Sequence, residues 1–411
     1  MTERDLCDMR DRTCIVCGSP LGETPLLTLH DMPASAQDIP DREERSTEYG
    51  ITLKLHQCSQ CGLVQFDCEP VAYYKDVIRS GGFSTTMVNL RKSQYKHLIE
   101  TYHLEGKTLI EAGCGQGEFL SVLSEFPVNA CGMEHRESLV ALAEEKGLSV
   151  WKQFAKEGEV LASPDGKISG PYDGFLSFNY LEHQPDPVGM LRCIYRNLTD
   201  DGVGLITVPS LEYILEYDGY YELIRDHLAY YTFDTLRHAV ELAGFTVLEE
   251  EMVNRDTLSV IVKKVPDKEK LGNGMKDNSL KIERAVVDGA KLAKSREIIE
   301  AELGELIREL KSSGKTLSLW GASHQGFTLA STTGIGAFAE YIIDSAPFKQ
   351  GRYAPASHLP IVAPEHFETD PVDAVLIVAP GYTEEIAGAI REKYGWNVAI
   401  LALKSNHLER I

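Results

Sequence analysis

The residues that could do chemistry begin with two pairs of cysteines. Cys14 and Cys17 lie in CIVCG, and Cys58 and Cys61 lie in CSQCG. A CxxC turn lets two thiolates face one ion. The glycine after each pair permits a tight turn whose amides soften the thiolate charge. Two such pairs suit a tetrahedral four-sulfur Zn2+ site with no open position, which predicts a structural metal without chemistry of its own. Cys7 and Cys68 have no partner motif and read as bystanders. The next candidate is EAGCGQGEFL at 111–120, directly after the run KTLI. Gly113, Gly115 and Gly117 let the backbone turn tightly and approach a ligand at a helix N-terminus. Glu111 stands just before them and can receive the cationic end of a cofactor, through water or a backbone contact. Glu134 ends the following run VNACGME, where it can accept both hydroxyls of a ribose. This acid–glycine spelling points to S-adenosylmethionine, although a nicotinamide cofactor would use the same turn. His183, in LEHQPDP, falls where a sheet strand ends, the side on which open α/β sheets bind ligands.

These residues need elements to position them. YGITLKLHQC alternates like a strand and leads into the second cysteine pair. Little else before residue 70 is apolar enough for a core, so this segment needs a staple. From about 85 to 255 short apolar runs alternate with helical patterns, which predicts a largely parallel sheet covered on both faces. VPDKEKLGNGMKDN reads as a linker, and the charged stretch after it as one or two helices ended by Gly314. KTLSLWGASHQGFTLA then opens a second α/β unit as strand, glycine turn and helix. The expected fold is α/β: a class I Rossmann-like methyltransferase domain over 71–264, between a zinc-binding domain over 1–70 and a Rossmann-like substrate-binding domain with leading helices over 265–411.

Composition narrows the partners. With 62 acidic and 41 basic side chains, the formal net charge is -21, which argues against a nucleic-acid partner. No run of 18 apolar residues is present, so no membrane helix is expected. MTERDLCDMRDRT is too polar for a signal peptide, which makes the cytoplasm the expected compartment.

Together these motifs resemble the sugar C-methyltransferases that act on nucleotide-linked 4-keto-deoxyhexoses. The resemblance runs over essentially the whole chain: DMPASAQ at 31–37, EAGCGQG, FNYLEHQPDP at 178–187, RDHLAYYTF at 225–233, WGASHQG at 320–326 and DSAPFKQGRYAPASHLPIVAP at 344–364. It implies methyl transfer to C3 of the sugar through an enolate, which requires a base of near-neutral pKa and a group to steady the enolate oxygen. On this resemblance His227 and His183 are the active-site histidines, and Asp226 takes the place of a glutamate. Ile224 stands where the family commonly has a tyrosine, and Tyr230 is a candidate substitute. Tyr74, Lys75, Arg79 and Ser80 fall in a connection used near cofactor and substrate; Tyr74 and Ser80 are expected at the cofactor and Arg79 at a phosphate. Tyr231, Ser323, His324, Lys349 and His358 are expected on the substrate side. Other readings are methylation of a different small acceptor at carbon, oxygen or nitrogen, a cofactor-binding interaction protein without turnover, and a nicotinamide-dependent dehydrogenase.

Overall fold

The computed structural model describes residues 12–76, 84–266, 287–379, 381–395, 397–403 and 405–411. Almost all of the expected linker at 265–278 lies outside them, as do Cys7, Arg79 and Ser80. Among the described residues no helix is long and apolar enough to cross a membrane.

The first sheet is antiparallel. Its strands are β1 (Leu27–Met32), β2 (Ile51–Gln57) and β3 (Val64–Phe66). Only β2 was legible as an alternating run. The segment indeed builds no core of its own. Leu27, Leu29, Leu53 and Leu55 instead share a cluster with residues near the end of the chain, among them Leu303, Leu319 and Phe327.

The central sheet opens with helix α1 (Thr85–Thr101), capped by Ser84, which accepts from the Met87 N–H. It continues through β4 (Thr108–Ala112), α2 (Glu118–Leu123), β5 (Asn129–Glu134), α3 (Glu137–Glu145), β6 (Val150–Lys152), β7 (Tyr172–Phe178), α4 (Pro187–Arg196), β8 (Leu198–Pro209) and α5 (Leu211–Glu216). The chain then leaves this sheet. Strand β9 (Ala229–Tyr230) pairs with β3 and completes the first sheet. Helix α6 (Phe233–Leu242) and strands β10 (Phe245–Val253) and β11 (Thr257–Lys264) follow. The strand order is β10-β11-β8-β7-β4-β5-β6, parallel from β8 to β6. Chain order reverses at β4, so a crevice opens beyond the carboxyl ends of β4 and β7.

The charged stretch forms one helix, α7 (Gly289–Ser312). Asp288 caps it, and Leu292, Ile299, Leu303, Leu306 and Leu310 are buried along one face at helical spacing. Each such burial contributes roughly 1.5–3 kcal/mol. Gly314, at φ +66°, ends it. The last sheet has β12 (Leu317–Trp320), α8 (His324–Thr332), β13 (Ile342–Ile343), β14 (Ile361–Val362), β15 (Ala374–Ile377), α9 (Thr383–Tyr394), β16 (Ala399–Leu403) and β17 (Leu408–Arg410). Its order is β14-β13-β12-β15-β16-β17, with only β17 antiparallel. The reversal falls at β12, above the Gly321 turn.

Candidate active site

The cysteines meet as their spacing predicts. Cys14 Sγ lies 3.5 Å from Cys61 Sγ, and Cys17 Sγ 3.5 Å from Cys58 Sγ. All four sulfurs lie within 4.8 Å of one another. A disulfide needs about 2.05 Å, whereas sulfurs about 2.3 Å from a tetrahedral zinc stand about 3.8 Å apart. The donor set therefore fits a zinc ion. The two turns are built alike: the Gly18 N–H donates to Cys14 O, the Gly62 N–H donates to Cys58 O, and both glycines have positive φ. Hydrogen bonds within the cluster push the Cys17 and Cys58 thiols down and those of Cys14 and Cys61 up, so the four share their protons as one set.

The glycine loop joins β4 to α2 with Gly113, Gly115 and Gly117 all left-handed. Gly117, at φ +79°, holds a conformation that other residues adopt only under strain, and a Cβ there would also push against the Leu148 side chain. Glu111 is buried on β4. Glu134, at the end of β5, is buried too. Its carboxylate accepts from the Gly115 N–H at 3.0 Å and from the Arg136 N–H at 2.9 Å. Burial raises its pKa, and those two bonds oppose the rise. Tyr74 is pinned over this edge. Tyr180 Oη donates to Lys75 O at 2.7 Å, and Asp76 accepts from Arg136 Nη2 at 2.7 Å and from Nε at 2.9 Å. The Tyr74 ring meets Phe154 edge to face.

The histidines come together from two turns. After β7 the chain passes Asn179 at φ +48° into a short 3-10 turn, Leu181–His183. Asp186 then caps α4, with Pro187 at its first position, which sets where the loop ends. His227 lies before Thr232, which caps α6. The two imidazoles stand edge to face, with centroids 4.9 Å apart. His183 Nδ1 lies 2.7 Å from Asp226 O. A carbonyl only accepts, so Nδ1 carries the proton and Nε2 of the neutral ring has a bare lone pair. Burial lowers both histidine pKa values, and the neighbouring His183 lowers that of His227 further. Both rings are therefore uncharged at neutral pH.

Asp226 is almost wholly buried with both oxygens engaged. Oδ2 accepts from the Ala36 N–H at 3.0 Å, and Oδ1 from Tyr73 Oη at 2.6 Å. Tyr73 also meets Ser35 Oγ at 2.5 Å. The DMPASAQ stretch is thus a strut that locks the turn carrying His227. Sequence reasoning passed over Tyr73 and, more importantly, Glu182. The Glu182 carboxyl is buried beside both histidines, its Oε1 3.9 Å from His183 Nε2. Neither of its oxygens has a hydrogen-bond partner among the described residues. Burial pushes its pKa up to about 8. The LEH motif held the only hint, a carboxylate next to the candidate histidine.

One expectation is corrected. Tyr230 is not poised for catalysis: its hydroxyl accepts from the Ile224 N–H at 2.7 Å and donates to Ile224 O at 3.0 Å, 1% exposed. It is a latch on the loop. Tyr231 is fully buried beside Glu182, Cys14 and Cys61, and its hydroxyl has no hydrogen-bond partner among the described residues.

Residues 88–250 match the family described as a methyltransferase domain, and residues 287–402 match the C-methyltransferase C-terminal domain. The C-methyltransferase NovU of Streptomyces niveus is 23% identical over 388 residues, covering 91% of this chain and 90% of that protein. The protein is an S-adenosylmethionine-dependent methyltransferase whose C-terminal part matches that of C-methyltransferases. A ubiquinone biosynthesis O-methyltransferase of Pseudomonas paraeruginosa is 28% identical over 130 residues, 28% of this chain and 54% of that protein. Among solved structures, the magnesium protoporphyrin IX methyltransferase of Synechocystis aligns with a TM-score of 0.34 at 16% identity, over 45% of this chain and 90% of that one.

In this methyltransferase, S-adenosylmethionine is the cofactor and the cysteine cluster is the structural metal site. A small cleft lies between the end of β1, the 224–226 turn and helix α8, lined among others by Met32, Ile224, Asp226, His324 and Thr328. Of the described residues expected on the substrate side, His324 alone lines it, and its Nε2 is tied to Glu222 at 3.0 Å. Ser323 caps α8. Lys349 Nζ donates to Ala322 O at 2.8 Å and pairs with Asp344 at 3.2 Å. His358 pairs with Glu48 of the N-terminal part at 2.9 Å. The last three hold the fold together at the glycine turn and at a contact between units.

Proposed function

We propose that this methyltransferase methylates C3 of a nucleotide-linked 4-keto-deoxy sugar through an enolate. The observation that carries the reading is the pair of neutral, close-packed imidazoles His183 and His227 at the carboxyl end of the central sheet. When bound, S-adenosylmethionine supplies an electrophilic methyl group. The glycine loop and Glu134 hold it by its ribose, with Tyr74 beside it. His227, partly exposed and uncharged, takes the proton from the carbon next to the carbonyl. The imidazolium so formed lies beside the enolate and offsets its charge. His183 keeps its Nε2 lone pair next to that ring, oriented by Asp226. The unit after residue 287 receives the nucleotide end.

The test is incubation with S-adenosylmethionine and a panel of nucleotide-linked 4-keto-6-deoxyhexoses, followed by mass spectrometry and solvent deuterium exchange at C3. Methylated product is expected. His227→Ala should lower its rate about 10²–10⁴-fold and abolish the exchange, with S-adenosylhomocysteine binding unchanged. Neither product nor exchange from any sugar would end the keto-sugar reading. Ile224 favours a second reading: it places no hydroxyl at the cleft where the sugar enzymes commonly have one, which suits a different small acceptor. Product without C3 exchange would select it.

A further inference from the structure

The polar atoms around the cleft are almost all spent. Asp226 has both oxygens engaged, and His324 Nε2 is on Glu222. Arg225 Nη1 donates to Ala34 O at 3.0 Å. Two lining groups remain. Arg225 Nε and Thr328 Oγ1 are buried atoms without a hydrogen-bond partner among the described residues. Thr328 is 0% exposed. Its position makes this unusual. A threonine inside a helix ordinarily bonds back to the carbonyl one turn earlier. Thr332 and Thr333, in or next to the same helix, each do so at 2.6 Å, on Thr328 O and Leu329 O. Thr328 does not, and leaving a hydroxyl buried and unpaired costs stability. The remaining lining is apolar, including Met32, Ile224 and Phe327.

We propose that Thr328 and Arg225 form an oxygen-binding subsite for the methyl acceptor. The Arg225 Nε–H can only donate, and the threonine hydroxyl can donate as well, so the ligand atom is an acceptor oxygen. The apolar lining takes a deoxygenated carbon or methyl of the same ring. The subsite itself has room for about one such oxygen, supplied by the deoxysugar-like ring of the acceptor reading while the rest of that ring lies outside it. Ile224 completes that lining. The subsite rests on the acceptor reading above, and it adds the residue of α8 that meets the acceptor.

The experiment compares wild type, Thr328→Val and Thr328→Ser, each with S-adenosylhomocysteine bound. The first readout needs no acceptor. Valine replaces the hydroxyl by a methyl of the same shape, so the melting temperature should rise. A fall would reveal a protein partner for the hydroxyl and overturn the proposal. The second readout is calorimetric titration with a thymidine-diphosphate-linked 4-keto-6-deoxyhexose and with thymidine diphosphate alone. A lost hydrogen bond of about 0.5–1.5 kcal/mol is about a 2- to 13-fold loss. Thr328→Val should weaken the sugar nucleotide by that factor and leave the diphosphate unchanged, and Thr328→Ser should restore binding. Unchanged affinity for the sugar nucleotide overturns the subsite. Equal weakening of both ligands overturns the ring assignment and puts the oxygen on the diphosphate. If wild type binds no sugar nucleotide, the acceptor reading fails, and the melting readout still decides whether the hydroxyl is reserved for a ligand.

Discussion

Glu182 offers the sharpest test of the buried histidine cluster. Its carboxyl has an ordinary value near 4.5, and burial raises it to about 8. The sign follows from linkage. Below pH 4.5 the carboxyl is protonated in the folded and the unfolded chain, and it costs nothing. As pH rises toward 8 the unfolded chain ionises and the folded chain does not. Each pH unit in that window therefore removes about 1.4 kcal/mol of stability. At pH 7 the deficit is about 3 kcal/mol by this arithmetic. Glu182→Gln has nearly the shape of the protonated acid and cannot ionise. It should abolish the deficit, raising the melting temperature by roughly 6–12 °C at pH 7 for a unit of 150–250 residues. The gain should vanish near pH 4.5 and be full above pH 8. Melting curves of wild type and Glu182→Gln with S-adenosylhomocysteine, taken from pH 5 to pH 9, measure it. Methyl transfer at pH 7 should persist, since the resting acid is already neutral. Parallel pH dependences in the two proteins would refute the reasoning, because the carboxylate would then be charged and compensated in the folded chain.

Metal analysis should find one zinc per chain, and Cys61→Ser or prolonged chelation should lower the melting temperature while leaving S-adenosylhomocysteine binding measurable; full stability in the metal-free protein would contradict a structural site. Tyr230→Phe leaves the Ile224 N–H and C=O buried without their partner, at about 1–3 kcal/mol. Hydrogen exchange should speed up across residues 224–231 and the methylation rate should fall, with the shape of its pH profile unchanged. A profile that loses one limb would return Tyr230 to a proton-transfer role.

The sequence by itself determined the local features. Two CxxCG turns bring their own sulfurs together in pairs, because a zinc-binding turn is a short-range object. The acid–glycine loop, its flanking strand and the helix after it are likewise set by neighbours in the chain: Gly117 is favoured by its own positive φ. Asp186 and Pro187 mark the start of α4, and Gly314 the end of α7, for the same reason. Strands of two or three residues were not legible, as with β6, β9 and β14, because so short a run carries no period. Only the tertiary structure decided what the site's polar groups do. Tyr230 and Tyr231 are adjacent and equally plausible in sequence, yet one latches Ile224 and the other is sealed beside the cysteine cluster. Glu182 acquires its raised pKa from burial among residues over forty positions away. Asp226 is oriented by Tyr73 and Ala36 from a different sheet. Partnership and desolvation depend on which surfaces the fold presses together, and sequence spacing does not encode that.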